Sequence, residues 1–375
     1  MPTTTFMRES VTDAPDRAPA SDIFAFEAVV LAGTQAWRKT AFDQLLPRPV
    51  LPVGQLPLMA HPLRWLRAAG ASRVTICSNG LAPQLREHLE PLRHLLPALT
   101  FHEDQTPRGA AGSARDAALA TDGDLFVVAD ATTIPDVSLL RVLAEHQETR
   151  AALTIVVQPS SGVRGSRLVP TGLYVFSRRA FEYVPAAGYQ DIKESLIPRL
   201  YAAGELVVTS EAESHCPQVL DARTYLAVSH RTIARSAAPA GILGDPLFEA
   251  APVIDPGARI SPTALLVGPV LVGPGVEIHD DAVIVGPASI GADTIVERGA
   301  LVSRSVIWNG CTIGADAQVD RSVLSTDVQV AAAARVVGAI HLAPRAAAPK
   351  EARPAVAVPA LEPAVDNVAH GLAFR

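Results

Sequence analysis

Residues 29–53 read VVLAGTQAWRKTAFDQLLPRPVLPV. An apolar strand runs into a turn of small residues, then a basic cluster containing Arg38, then Arg48 bracketed by Pro47 and Pro49. This is the layout of a phosphate-binding loop: guanidinium groups neutralise phosphate oxygens, and small residues let backbone amides approach them. Thr34, Ala36 and Trp37 stand where glycines would be expected. A second candidate is Asp130, which closes the apolar run DLFVVAD. A carboxylate at a strand end can hold Mg2+ together with substrate phosphates, and it can equally cap the next turn. Arg164 and Arg167 could bind an anion, although solvated loop arginines are the commoner case. His279, in EIHDDA, is a lone histidine just after an aliphatic residue. As a general base it would suit acyl transfer, and as a surface turn residue it needs no role.

Alternating strands and helices must position these groups. From residue 26 to about 228 the chain reads as strand FEAVVLAG, helix LMAHPLRWLRAAG, strand SRVTICSNG, helix LAPQLREHLEPLRHLL with an internal Pro91, and strand LTFHED. It continues as helix GSARDAALATD, strand DLFVVAD, helix DVSLLRVLAEHQE, and strands AALTIVVQP and TGLYVFS. This rhythm predicts βαβ units around a mostly parallel, doubly wound sheet. Ligands of such sheets bind beyond the carboxyl ends of the strands, and the LAG turn and VVAD are two such ends.

A different pattern follows. Aliphatic residues recur every six positions at Ile254, Ile260, Leu266, Val272, Ile278, Ile284, Ile290, Val296 and Val302. The register then slips by one, and Ile307, Ile313 and Val319 continue it. Four residues after each of the first nine stands a small or β-branched residue, from Ala258 to Val306. A fixed six-residue period predicts a hexapeptide β-helix, each hexad forming one face of a triangular coil. The aliphatic residues fill the interior, and the Gly and Pro between them supply turns.

The whole chain has 375 residues, 49% hydrophobic and 5% aromatic, with a net charge of −6. No basic run is long enough to track nucleic acid. Cys77, Cys216 and Cys311 lie too far apart for a zinc site or a disulfide framework, which fits a reducing cytoplasm. Nothing reads as a signal peptide or as the roughly 20 apolar residues that span a bilayer. The expected organisation is a disordered lead over 1–22, an α/β domain over 23–230, a linker over 231–250, the β-helix over 251–342 and an Ala/Pro-rich tail over 343–375.

These motifs resemble the sugar-1-phosphate nucleotidyltransferases (NDP-sugar pyrophosphorylases), in particular the GDP-mannose and ADP-glucose branches that carry a C-terminal hexapeptide β-helix. The family signature L-A-G-G-x-G-T-R-L-x-P-L-T, with P-K-P beyond it, lies gaplessly on Leu31–Asp43 and Pro47–Arg48–Pro49. EDQTPRGAAG resembles the segment that closes over base and sugar. The resemblance implies a Rossmann-like domain followed by a left-handed parallel β-helix. It implies catalytic roles for Arg38 and Arg48, nucleotide binding by Gly33, Glu103, Gly109 and Gly112, and Mg2+ held by Asp130 and Asp221. Gln218 takes the place of Asp221 if no gap is allowed. A nucleotide or nucleotide sugar is the implied partner, in a homo-oligomer or a hetero-oligomer with an active paralogue, without nucleic acid or membrane.

The chain departs from that pattern at one site after another. Both loop glycines carry a Cβ, at Thr34 and Ala36, and Arg48 replaces a lysine. The E-K-P segment that holds the sugar phosphate is missing, and N-A-G has become Pro170–Thr171–Gly172. The favoured expectation is therefore a catalytically impaired relative acting as a regulatory or scaffold subunit. The alternative is an active pyrophosphorylase using Mg2+, with a hexapeptide acyltransferase third.

Overall fold

The computed structural model describes residues 24–33, 46–104, 106–160, 167–237 and 251–341. They fall into two compact units, one drawn from 1–34 and 59–217, the other from 35–58 and 218–375.

In the first unit the apolar runs form a seven-stranded sheet. Its strands are β1 (Glu27–Leu31), β2 (Arg73–Ser78), β3 (Ala98–Glu103), β4 (Leu125–Asp130), β5 (Leu153–Ser160), β6 (Arg167–Ser177) and β7 (Val207–Glu211), in the spatial order β3-β2-β1-β4-β6-β5-β7. β1 pairs in parallel with both β2 and β4, while β6 runs antiparallel to β4 and β5. The sheet is thus mostly parallel, as the βαβ rhythm predicts, and its order reverses between β1 and β4. Val29 and Val30 point to opposite faces and both are buried, so both faces are covered. One face packs against α3 (Gly109–Ala118), whose buried residues are all small: Ala111, Gly112, Ser113, Ala114, Ala117 and Ala118. Small side chains let the helix approach β1 and β2 closely. Phe176 and Phe181 stack in the same core with centroids 5.1 Å apart, and Phe126 meets Phe181 edge-on.

Two elements differ from the sequence reading. The helix expected across Pro91 is an α-helix over Ala82–Leu89 followed by a 3-10 segment over Glu90–Leu95. Pro91 lacks the N–H that would continue the α-helical ladder. Strand β7, which the periodicity did not reveal, pairs in parallel with β5.

In the second unit, three parallel sheets of two- and three-residue strands stack into a β-helix over 253–341. The hexad aliphatics become three ladders. One runs Ile254, Val272, Ile290, Ile307, Leu324; the others pass through Ile260 and Leu266. Rungs of the early coils are 18 residues apart, three hexads per turn. From the Ile290–Ile307 rung onward they are 17 apart, so the one-residue slip is repeated in every later coil. Left-handed backbone in the β-helix falls mostly on residue types that tolerate positive φ, among them Gly275, Gly299 and Gly310 and Asp281, Asp293, Asp316 and Asp327, but also on Arg304, Arg321 and Ala333. Gly310 stacks directly on Asp327, whose carboxylate a Cβ would strike.

Helix α6 (Ala222–Ala237) and a short hairpin, Pro52–Val53 with Leu56–Pro57, belong to this second unit. Tyr225 from α6 donates its hydroxyl to the Pro52 carbonyl and accepts from Trp308 Nε1 at 2.9 Å. Gln55 Nε2 donates to the Ile290 carbonyl at 3.0 Å. Positions 231–237, read from sequence as the start of a linker, are therefore helical, held by buried Ile233 and by His230 on the Arg304 carbonyl.

Among the described residues no helix is long and apolar enough to cross a membrane. Gly310→Ala is expected to lower unfolding free energy by about 1–2 kcal/mol, the cost of a Cβ in left-handed backbone, measured by denaturant titration. A pH effect is expected in the first unit. His146, in a helix over Leu139–Thr149, is buried between Thr154 Oγ1 (2.8 Å) and Ser177 Oγ (3.0 Å). Burial, helped by the Arg179 charge, pushes its pKa down to about 4. The unfolded chain binds the proton more readily, so stability present above pH 6.5 is lost as pH falls toward 4. Unfolding free energies from denaturant titrations across that window should fall less steeply with falling pH for His146→Gln.

Candidate functional site

The candidate site of the first unit lies at the carboxyl ends of its strands. β1 and β4 end level, with Leu31 opposite Asp130. The pairing extends one hydrogen bond past each end: Ala32 N donates to the Cys77 carbonyl at 2.8 Å, and Ala131 N to the Leu31 carbonyl at 3.0 Å. Gly33 follows, exposed, where a Cβ would come within 3.2 Å of Asn79 Nδ2. Thr34, Ala36, Trp37 and Arg38 lie outside the described residues, as does Arg164.

Asp130 is half-buried, and its Oδ1 accepts from Thr132 N at 2.7 Å and Thr132 Oγ1 at 2.6 Å. Both bonds reach the same oxygen and fix the carboxylate at the strand end, so the turn-capping role is filled. The hard oxygen donors of this group suit Mg2+, with substrate phosphates completing the shell.

Glu103 ends β3. Its carboxylate accepts from Ser78 Oγ (2.7 Å), Gly80 N (2.5 Å) and Ala82 N (2.8 Å). Ala82 opens α2 (Ala82–Leu89), whose preceding residue, Leu81, has no side chain able to cap it. Glu103 supplies that cap from a neighbouring strand. Desolvation pulls its pKa up, but these donors outweigh it and hold the carboxyl below its ordinary value.

The glycines of RGAAG are fixed by close packing. Gly109 has φ +74°, and a Cβ on it would overlap the Gln190 carbonyl. That carbonyl accepts from Ala111 N at 3.0 Å and Gly112 N at 3.4 Å, while Gln190 N donates to the Arg108 carbonyl at 2.7 Å. The amino-terminal amides of α3 are thus engaged by the segment before Asp191. A Cβ on Gly112 would stand 3.0 Å from Arg108 Cβ. Arg108 is buried, and its guanidinium spans Asp116 (2.7 Å), the Gly188 carbonyl (2.7 Å) and the Pro185 carbonyl (3.3 Å). Hydrogen bonding to Asp116 raises its pKa. The sequence reading passed over this clamp; its signal was an arginine inside an otherwise small, apolar segment.

Asp191 accepts from Lys193 N (2.7 Å) and Glu194 N (3.0 Å), capping the next helical turn. Gly172, with φ +86°, follows a register shift between Ile155 and Val157 where β5 meets β6. Buried Thr171 spans that irregularity by donating to the Val156 carbonyl at 3.0 Å.

The other two candidates belong to the second unit. Arg48 is half-buried at the start of a 3-10 turn over Arg48–Val50. Asp221 is exposed and caps α6, its Oδ1 accepting from Thr224 N at 2.8 Å and Thr224 Oγ1 at 2.9 Å. The Thr224 amide leads in pulling its pKa below the ordinary carboxylate value. Gln218 precedes it in the same unit. His279 lies on the outer face of the β-helix, 3.6 Å from Glu277, in a shallow cleft where Arg259 pairs with Glu277 and Ser261 with Asp280.

The sequence matches two family models: the MobA-like NTP transferase domain over residues 28–218, and the GMPPB C-terminal domain over 249–352. Among curated proteins, it is 23% identical to the mannose-1-phosphate guanylyltransferase of Mycobacterium tuberculosis over 66% of this chain and 74% of that one. It is 22% identical to the UTP–glucose-1-phosphate uridylyltransferase of a Synechocystis species over 82% and 92%. It is also 25% identical to the epsilon subunit of translation initiation factor eIF2B of Schizosaccharomyces pombe, over 43% of this chain and 25% of that one. With a MobA-like NTP transferase domain over just more than half its length and a GMPPB-type domain after it, the chain belongs to the sugar-1-phosphate nucleotidyltransferases.

Proposed function

We propose that this sugar nucleotidyltransferase has lost efficient turnover and serves as a regulatory or scaffold subunit that binds a nucleotide or nucleotide sugar. One observation carries the reading. The β5–β6 ladder continues from Leu153 opposite Phe176 to Ser160 opposite Arg167, leaving only residues 161–166 to join the strands. The pattern that this family resemblance brings has further strands and an E-K-P motif here to hold the sugar phosphate. A six-residue connector has no room for them, and a substrate not held in near-attack geometry reacts slowly. The commitments of Glu103 to α2 and of the Gln190 carbonyl to α3 point the same way, since both occupy groups that a nucleotide would otherwise meet. The similarity to a translation-factor subunit is in keeping with a subunit role.

Nucleotide binding would rest on Gly33, Arg38 and Asp130, with Gly109 and Gly112 shaping the edge of the site. Mg2+, when bound at Asp130, would offset charge on the phosphate oxygens. Asp130 is also what favours the second reading, an active pyrophosphorylase, because the carboxylate stands level with the end of β1.

The relatives' names supply the assay. Pyrophosphate release from GTP with mannose 1-phosphate, and from UTP with glucose 1-phosphate, in Mg2+, is expected at least about 100-fold below an active relative run alongside. GTP or GDP-mannose should still raise the thermal midpoint. Turnover comparable to the relative, abolished by Arg38→Ala and by Asp130→Ala, would establish the active reading instead.

A further inference from the structure

Three side chains apart from Asp130 converge between the end of β3 and helix α3. One possible ligand atom from each of His102, Asp104 and Asp116 lies within 4.8 Å of the other two. His102 Nε2 is 3.5 Å from Asp104 Oδ1. That is close to the edge, about 3.4 Å, of a tetrahedron with bonds of about 2.1 Å. The Asp104 side chain is only 4% exposed. Its Oδ2 accepts from Ser113 Oγ, whereas its Oδ1 has no hydrogen-bond partner among the described residues. A buried carboxylate oxygen without a donor is costly, and this one faces an imidazole nitrogen with a second carboxylate nearby. Asp116 is oriented by Arg108 Nε at 2.7 Å and Arg115 Nη1 at 3.0 Å. Ligating carboxylates are commonly held by such outer hydrogen bonds. Asp116 Oδ1 also accepts from Arg108 Nη2 at 3.3 Å, so it is Oδ2, which accepts from Arg108 Nε alone among the described residues, that keeps a second lone pair. The His102 side chain is 36% exposed, which gives an ion a way in.

We infer that His102, Asp104 and Asp116 bind one divalent cation, and that the ion is Zn2+ rather than Mg2+. A nitrogen ligand beside two carboxylates suits Zn2+, whereas Mg2+ takes oxygen ligands and keeps much of its water. The ion would staple the end of β3 to α3, the helix that the RGAAG segment opens. Binding to the folded form alone would stabilise it by mass action. The arginine charges beside Asp116 keep the affinity below that of an all-anionic site.

The test uses the full chain, stripped with EDTA and desalted, titrated calorimetrically with Zn2+ and separately with Mg2+, with thermal unfolding followed in parallel. One equivalent of Zn2+ per chain and a raised thermal midpoint are expected. His102→Gln and Asp104→Asn should each weaken binding at least about tenfold. Circular dichroism checks that both variants fold; if Asp104→Asn does not, His102→Gln, at a partly exposed position, decides alone. No saturable Zn2+ uptake, uptake unchanged in His102→Gln, or Mg2+ bound as tightly as Zn2+ would each overturn the assignment.

Discussion

Strand β1 is hydrogen-bonded on both sides, to β2 and to β4, and buried on both faces. The arrangement of the first unit depends on that double pairing. A buried backbone group without a partner is costly, so β1 cannot shift against either neighbour without breaking a full ladder. Its register against β4 sets Leu31 beside Asp130 and brings the two chain exits to one level at the point where strand order reverses. Whatever ligand chemistry the unit retains is aligned by this pairing.

Around that edge, groups that could meet a ligand already have protein partners. Glu103 holds the start of α2, the Gln190 carbonyl holds the start of α3, and Asp191 caps the turn after it. Each contact satisfies helix-end amides that would otherwise need water or an anion. The result is a rigid rim, built from residues remote in sequence, around a sheet edge typical of nucleotide-binding folds.

Much of the architecture was legible because it rests on periodicity. The hexads from Ile254 to Val319 mapped onto the ladders, and the apolar runs mapped onto β1 to β6. Strand β7 escaped because Val207–Glu211 is only partly buried, unlike the equally short β1. The distant partners of Glu103, Gly109 and Arg108 were not legible, since they arise from tertiary contacts across 21 to 81 residues of chain. The sequence singles out the glycines of RGAAG, yet it does not distinguish a glycine that makes room for phosphate from one that makes room for a carbonyl.

The change from 18-residue to 17-residue rungs divides the β-helix into two lengths of repeat. In a structure of stacked coils, the natural evolutionary currency is the whole coil. Here coils are interchangeable only within their own class. Loss of 17 residues from the later half leaves every aliphatic over its predecessor, whereas loss of 18 turns the remaining ladder inside out. The later half can therefore grow or shrink only in steps of its own repeat, and the Ile290–Ile307 rung is where the two repeat lengths meet.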